Sequence, residues 1–350
     1  MLAAVAAVQR SPDAKLLVVN CEDELIHAPR TAFVDFLRPN DLVIANDAAT
    51  LPASLTGVHQ RTGERIEVRL AGRPSLDPYD VSRFSAVVFG DGDFHMRTED
   101  RPLPPALRNG DVFLLGPLSA TVERTLGHSR LVLLHFAGTA DEVWAGLARH
   151  GRPIQYSHLQ DGLEMWDVWT RIAGAPVAFE PPSAGFVLDW HVLAAIREHK
   201  AGFATITHAA GISSTGDEDL DRLLPFDEPY DIPEATVRAV ARARQDGGRI
   251  IAVGTTVVRA LEDAAAKNDQ LRPGTGLAKG KIGPATRLLV VDAILSGTHE
   301  PGTSHYELLR AFLEDATLEH TTNELTTHNY KTHEFGDSVL IPSCKCDRPQ

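Results

Sequence analysis

Short apolar runs that end in polar residues recur along the chain and predict a sheet covered by helices. Runs of this kind, which we interpret as buried strands, lie at 15–19, 42–45, 203–207, 249–253 and 287–294. Segments with apolar positions at helical spacing alternate with them, at 141–149, 188–199, 231–246, 255–265 and 306–313. Alternation of strands and helices is typical of an α/β fold with a mixed or parallel sheet.

The pattern changes between residues 54 and 137, where period-two alternation replaces helical spacing. Leu55–His59 and Arg65–Leu70 flank a turn and predict an antiparallel hairpin. Further short strands are indicated at 86–89, 94–97, 112–115, 120–125 and 131–136. We therefore expect an α/β domain formed by residues 1–53 and 138–350, with a small antiparallel β-barrel domain inserted at 54–137.

A strand, a glycine turn and a helix start follow one another around Gly254. Arg249–Val253 is an apolar run, Gly254 permits a sharp turn, and Thr255 or Thr256 can cap the next helix with its hydroxyl. That helix is expected to direct three polar side chains to solvent, those of Arg259, Glu262 and Asp263. The positive end of such a helix favours an anionic ligand group, although an ordinary strand-to-helix connection has the same appearance.

Composition narrows the possible partners and compartments. The chain has 350 residues and a formal net charge of -13, which argues against a protein that coats nucleic acid by bulk attraction. No apolar run approaches the length of a membrane span, so no membrane partner is expected. Three cysteines do not make a disulfide framework, which favours the cytoplasm. Cys344 and Cys346 lie in a polar tail. We interpret this tail as a flexible segment and not as part of a zinc site.

Polar residues at predicted strand ends form a candidate site. They are Asn46, Asp47, His208, Thr255, Thr256, Asp292 and His299. Such a set can bind a zwitterion and transfer a proton, because histidine is an acid or base near neutral pH. Glu228, in a predicted acidic loop, can accept hydrogen bonds from ribose hydroxyls. Histidines at His320 and between His328 and His333 are interpreted as a polar face, so no metal is expected.

Four sequence blocks resemble the S-adenosylmethionine:tRNA ribosyltransferase-isomerase family of queuosine biosynthesis. They are Gly247–Asp263, Asp41–Asp47, Val290–Ile294 and Phe335–Ile341, and their order agrees over nearly the whole chain. The resemblance implies an α/β domain paired with a small β-barrel. It also implies that S-adenosylmethionine is a substrate, whose ribosyl part is transferred to the 7-aminomethyl-7-deazaguanine of a tRNA and isomerised to epoxyqueuosine, with release of adenine and methionine.

The resemblance also suggests roles for individual residues. His208, Glu228 and His299 are candidate catalytic residues, for proton abstraction beside the sulfonium and for assisting adenine departure. Thr255, Thr256 and Arg259 are expected to hold the methionine carboxylate or the ribose. The remaining candidate substrate contacts are Asn46, Asp47, Gly185, Gly254 and Asp292.

Several positions depart from the family pattern and leave other functions open. Ala48 and Ala49 stand where the family has Thr-Arg, Val187 replaces a histidine, and the segment Gly297–His305 differs at several positions. Lost arginines remove contacts to phosphates or carboxylates. The alternatives are a diverged member that uses S-adenosylmethionine on a small-molecule acceptor, and a non-catalytic binding protein. A basic cleft mouth would favour tRNA, and an acidic one a small acceptor.

Overall fold

A nine-stranded sheet is the centre of the fold in the computed structural model, which describes residues 1–22 and 24–344. Its strands, in spatial order, are Gly274–Ala278, Glu228–Ile232, Gly202–His208, Leu42–Asn46, Ile250–Val253, Ala293–Gly297, Ser338–Pro342, Lys15–Val19 and Leu25–Pro29. The four strands from Gly202–His208 to Ala293–Gly297 run parallel to one another. Their carboxyl ends therefore meet at one edge of the sheet, which we call the carboxyl edge; the opposite one is the amino edge.

Both faces of this sheet are buried, which explains the continuous apolar runs of its strands. Every residue of Leu42–Asn46 is buried. Successive side chains alternate between two cores, because a strand has a period of two. Ile44 packs with Val258 and Leu318 on one face, whereas Val43 packs with Val192 on the other.

The inserted region forms a closed antiparallel barrel of six strands, as the sequence predicts. In spatial order they are Leu118–His128, Leu131–Phe136, Arg83–Phe89, Arg65–Gly72, Ser54–His59 and Val112–Leu115. The prediction of a strand at 94–97 is wrong. There Asp93 accepts hydrogen bonds from the backbone N–H of His95 at 3.0 Å and from its ring at 2.9 Å, and this local bonding favours a turn. The domain boundaries at 54 and 137 stay a prediction.

The remaining elements cover the sheet or join its strands. The α-helices are Ala140–His150, Met165–Val168, Trp190–Glu198, Glu218–Asp221, Glu234–Gln245, Thr255–Asn268, Ser304–Leu309 and Asp315–Thr327. Short 3-10 helices span Arg30–Phe36, Thr98–Asp100 and Ser183–Val187. Leu2–Ala3 pairs with Lys331–Thr332, and Ala49–Thr50 pairs with Pro176–Ala178.

Residues 287–294 do not form the single strand that their apolar character predicts. The strand is Ala293–Gly297, and the segment before it is held by Glu262. The carboxylate of Glu262 accepts hydrogen bonds from the backbone N–H groups of Leu289 at 2.6 Å, Val290 at 2.9 Å and Val291 at 2.8 Å. Glu262 is therefore buried and not directed to solvent, and Arg259, one turn earlier, is buried as well. An ionised carboxylate tolerates burial when such donors satisfy it.

The cysteines correct a further expectation. Cys21 forms a disulfide with Cys344, so the start of the predicted flexible tail is tied to the first part of the chain. Cys346 lies outside the described residues. Among the described helices, none combines the length and the apolar character that crossing a membrane requires.

Candidate active site

A cavity of about 570 Å³ opens at the carboxyl edge of the sheet. Its volume lies within the range of about 300–1,000 Å³ that small-molecule sites occupy. Six residues singled out from the sequence line it: Glu228, Gly254, Thr255, Thr256, Arg259 and His299. In α/β sheets, ligands bind beyond the carboxyl ends of the strands, so this cavity is the candidate active site.

One wall of the cavity is the start of the helix Thr255–Asn268. Gly254 has a φ of 93°, which a residue with a side chain rarely adopts, and it occupies the cap position itself. The predicted hydroxyl cap from Thr255 or Thr256 is therefore wrong, because within the described part of the chain no side chain caps this helix. The first amides of the helix remain available to a ligand, and their positive end favours a carboxylate.

Arg259 and Glu228 form a buried ion pair beside this helix start. The guanidinium also donates to the carbonyl oxygens of Phe226 and Gly280, both at 3.3 Å. The second oxygen of Glu228 accepts the N–H of Gly211 at 2.6 Å. Burial lowers the pKa of Arg259 to about 10, which still leaves it charged at neutral pH. The pair is thus fixed by protein donors and acceptors while it borders the cavity.

His208 is fully buried behind that pair and does not line the cavity. Its Nε2 lies 3.4 Å from Glu228, and neither ring nitrogen makes a well-aligned hydrogen bond to the described residues. Burial, together with nearby Arg259, lowers the pKa of His208 to about 3, so its ring is neutral. The structure therefore places His208 next to a candidate catalytic group and away from the space that a substrate would occupy.

Four other predicted residues also lie outside the cavity lining. Asn46 exchanges hydrogen bonds of 2.9 Å with both backbone groups of His208, and Asp47 accepts from the hydroxyl of Thr207 at 2.7 Å. Gly185 is buried in a 3-10 helix. Asp292 lies at the amino edge, where it accepts the N–H of Ile250 at 2.8 Å. Their roles as substrate contacts stay predictions.

Histidines form a second wall of the cavity. The rings of His299 and His305 stack with their centroids 4.8 Å apart, and Nε2 of His299 lies 3.0 Å from the hydroxyl of Ser296. Burial, with the neighbouring His305 and His333, lowers the pKa of His299 well below its usual value. Burial likewise lowers the pKa of His305 to about 4. Both rings are therefore unprotonated at physiological pH, and burial makes each a weaker base than a free imidazole.

Several cavity residues were not singled out from the sequence. They are Tyr156, His158, Glu180, His305 and Glu334, with His333 noted only as part of a polar segment. The hydroxyl of Tyr156 donates to Glu180. Burial and nearby Glu334 raise the pKa of Glu180 to about 7. No local motif marks Tyr156 or Glu180, because they are distant in sequence and meet only in the fold.

Comparison with known proteins agrees with this architecture. The family model described as queuosine biosynthesis protein matches residues 1–341. The chain belongs to that family. S-adenosylmethionine:tRNA ribosyltransferase-isomerase of Pelotomaculum thermopropionicum is 30% identical over 93% of this chain and 92% of its own. The enzyme of the same name from Azoarcus sp. is 31% identical over 97% and 94%.

A solved structure supports the fold independently. The crystal structure of S-adenosylmethionine tRNA ribosyltransferase from Thermotoga maritima covers 97% of this chain and 96% of its own. The TM-score is 0.51 at 22% identity, so this likeness is evidence for the fold alone. The α/β fold with an inserted barrel is thereby confirmed, and the family model and the relatives confirm the family resemblance.

Proposed function

We propose that this chain is an S-adenosylmethionine:tRNA ribosyltransferase-isomerase that binds S-adenosylmethionine in the carboxyl-edge cavity. The observation that carries the proposal is the uncapped helix start at Gly254, which opens on that cavity in a chain of this family. Backbone amides at a helix start and a nearby arginine are suited to a carboxylate. The methionine carboxylate of S-adenosylmethionine would contact Thr255 and Thr256, within reach of Arg259.

The proposed acid and base follow from which groups line the cavity. Proton abstraction beside the sulfonium requires an unprotonated base, and we assign this role to His299, because its ring is unprotonated and borders the cavity. Adenine departure requires an acid, and we assign it to Glu180, whose pKa of about 7 leaves it partly protonated at neutral pH. Glu228, held by Arg259 and the N–H of Gly211, would accept ribose hydroxyls, and His208 would pack behind it.

The experiment is adenine release from S-adenosylmethionine, followed by chromatography. The purified chain is incubated with tRNA that carries 7-aminomethyl-7-deazaguanine or with tRNA that lacks it. Adenine that appears only with the precursor-bearing tRNA supports the proposal. Binding of S-adenosylmethionine without tRNA-dependent adenine would overturn it and leave a binding protein or another acceptor.

A matched pair of variants tests the assignment of His299. We expect His299→Gln to lower the rate of adenine release by about 100-fold, the usual contribution of a general base. His320 is exposed on the helix Asp315–Thr327, and His320→Gln is the control with the same chemical change. Equal rates in the two variants would exclude His299 from the reaction.

The charge of the cavity favours a second candidate, a small cationic or amine acceptor in place of tRNA. Five glutamates line the cavity, Glu99, Glu180, Glu228, Glu300 and Glu334, against the arginines Arg97 and Arg259. Carboxylates repel a phosphate backbone and attract an amine. Adenine release with small amines and without tRNA would identify this function. Its absence, together with precursor-dependent release, would exclude it.

A further inference from the structure

A histidine and carboxylate cluster in the cavity wall resembles the ligand set of a metal ion. His158, His333 and Glu334 each offer one ligand atom, and these atoms all lie within 4.8 Å of one another. The three residues come from two separate parts of the chain. His158 lies in the turn between Tyr156 and Leu159, and the other two precede the last strand. Sequence spacing therefore could not predict the cluster, and the expectation of no metal was based on spacing alone.

The distance between two of the atoms fits a tetrahedral site. Nε2 of His158 and Oε2 of Glu334 are 3.3 Å apart. Ligand atoms bound at about 2.0–2.1 Å in a tetrahedron are separated by roughly 3.3 Å. The ring of His333 stacks on His158 with centroids 4.2 Å apart and an angle of 15° between the planes. Parallel stacked rings do not direct their nitrogens at one point, so the ring of His333 would turn out of the stack to complete the set, which its exposure permits.

The same atoms lack other partners. Within residues 1–22 and 24–344, Nε2 of His158 and Oε2 of Glu334 are buried, and apart from their 3.3 Å contact with each other they make no well-aligned hydrogen bond. Such atoms are costly unless something satisfies them, and an ion is one solution. His333 has a φ of 69°, a conformation that is uncommon for non-glycine residues and that histidine adopts more often than most.

A second histidine cluster, at the surface, provides the contrast. His27, Glu324 and His328 also lie within 4.8 Å of one another. Both nitrogens of His27 have partners, however, since Nδ1 lies 2.9 Å from the hydroxyl of Tyr330 and Nε2 lies 3.0 Å from Glu324. These hydrogen bonds account for the surface arrangement without an ion.

We propose that His158, His333 and Glu334 bind a divalent transition metal ion of the zinc class, with an open coordination position that faces the cavity. Two imidazoles and one carboxylate suit zinc and related first-row metals, and three protein ligands leave a position for water or a ligand atom. Glu180, which is close enough to Glu334 for their charges to interact, lines the same cavity. The site thus enlarges the set of groups that a bound molecule can contact.

The test measures metal content and does not depend on activity. Tag-free full-length protein is stripped with a chelator, loaded with Zn²⁺ and analysed by plasma mass spectrometry. We expect one zinc per chain in the wild type and at least tenfold weaker binding in Glu334→Gln and His333→Asn. Asparagine tolerates the backbone conformation at position 333, so His333→Asn is suited to retain the fold. His328→Ala, in the surface cluster, should bind zinc as the wild type does.

Cobalt gives a second readout that needs no variant. Co²⁺ bound by two imidazoles and a carboxylate in a tetrahedral site should give intense visible absorption bands, which zinc displaces. Failure of the wild type to bind zinc or cobalt would overturn the proposal. So would unchanged binding in both His333→Asn and Glu334→Gln, or loss of the zinc in His328→Ala.

Discussion

The two edges of the central sheet carry similar residues for different purposes. At the amino edge, Asp41 accepts backbone N–H groups from Arg38 at 2.8 Å and Arg249 at 2.9 Å, and it pairs with the Arg249 guanidinium at 2.6 Å. At the carboxyl edge, the similar pair of Arg259 and Glu228 borders the cavity, next to a helix start at Gly254 that has no side-chain cap. Carboxylates at the amino edge fasten strands together, whereas the carboxyl edge keeps polar groups available to a ligand.

The largest expected effect is on enzyme activity, and it should differ between matched arginine variants at the two edges. We expect Arg259→Lys to lower kcat/KM for adenine release by about 10- to 100-fold, because lysine cannot reproduce the guanidinium contacts to Glu228 and the carbonyl oxygens. Arg249→Lys is the matched change at the amino edge, and it should lower the free energy of unfolding while adenine release continues at the normal rate. Similar losses of activity in both variants would remove the functional difference between the edges.

The second prediction concerns the pH dependence of stability at the carboxyl edge. Burial and Glu334 raise the pKa of Glu180 from 4.5 to about 7, so the folded chain holds a proton that the unfolded chain has released between these values. The contribution of Glu180 to stability should therefore fall as the pH rises from about 4.5 to 7, by on the order of 3 kcal/mol. Denaturant unfolding should show this loss as a difference between the wild type and Glu180→Gln that changes with pH. A constant difference between the two proteins across this range would contradict the prediction.

The smallest expected effect is at Asp292. Its side chain accepts the backbone N–H of Ile250 at the amino edge, far from the cavity. Asp292→Asn keeps an acceptor but loses the charge, so we expect a loss of about 1 kcal/mol in the free energy of unfolding and an unchanged rate of adenine release. A marked loss of S-adenosylmethionine binding in this variant would contradict the prediction and support Asp292 as a substrate contact.

The difference between the edges also explains what the sequence could predict. Gly254, Thr255 and Thr256 were found because the strand, turn and helix that position them are continuous in the chain. Asp292 was placed at the wrong end of its strand, since an apolar run fixes neither where pairing begins nor the direction in which it continues. Asp at the start of a strand and Asp at its end look alike in sequence.

Residues assembled from distant segments could not be predicted at all. Glu180 and Tyr156 are 24 positions apart. The spacing of apolar residues along the helix also could not predict whether Arg259 and Glu262 face solvent. They belong to a helix that is buried on several sides, and specific partners, Glu228 and the amides of residues 289–291, make their burial tolerable. Partners of this kind are a property of tertiary structure, and spacing along one helix does not contain them.

The central strand Leu42–Asn46 has consequences for the order of folding. Its neighbours reach it from far along the chain, with 162 positions between Asn46 and His208 and 208 between Asp41 and Arg249. Barrel contacts are much more local, as between Ser54 and Glu67, which are 13 positions apart. During synthesis the barrel strands can therefore pair before the two neighbours of Leu42–Asn46 have been made. Until then Leu42–Asn46 is an apolar strand with both edges unpaired. Chaperone dependence and aggregation of nascent chains should originate there.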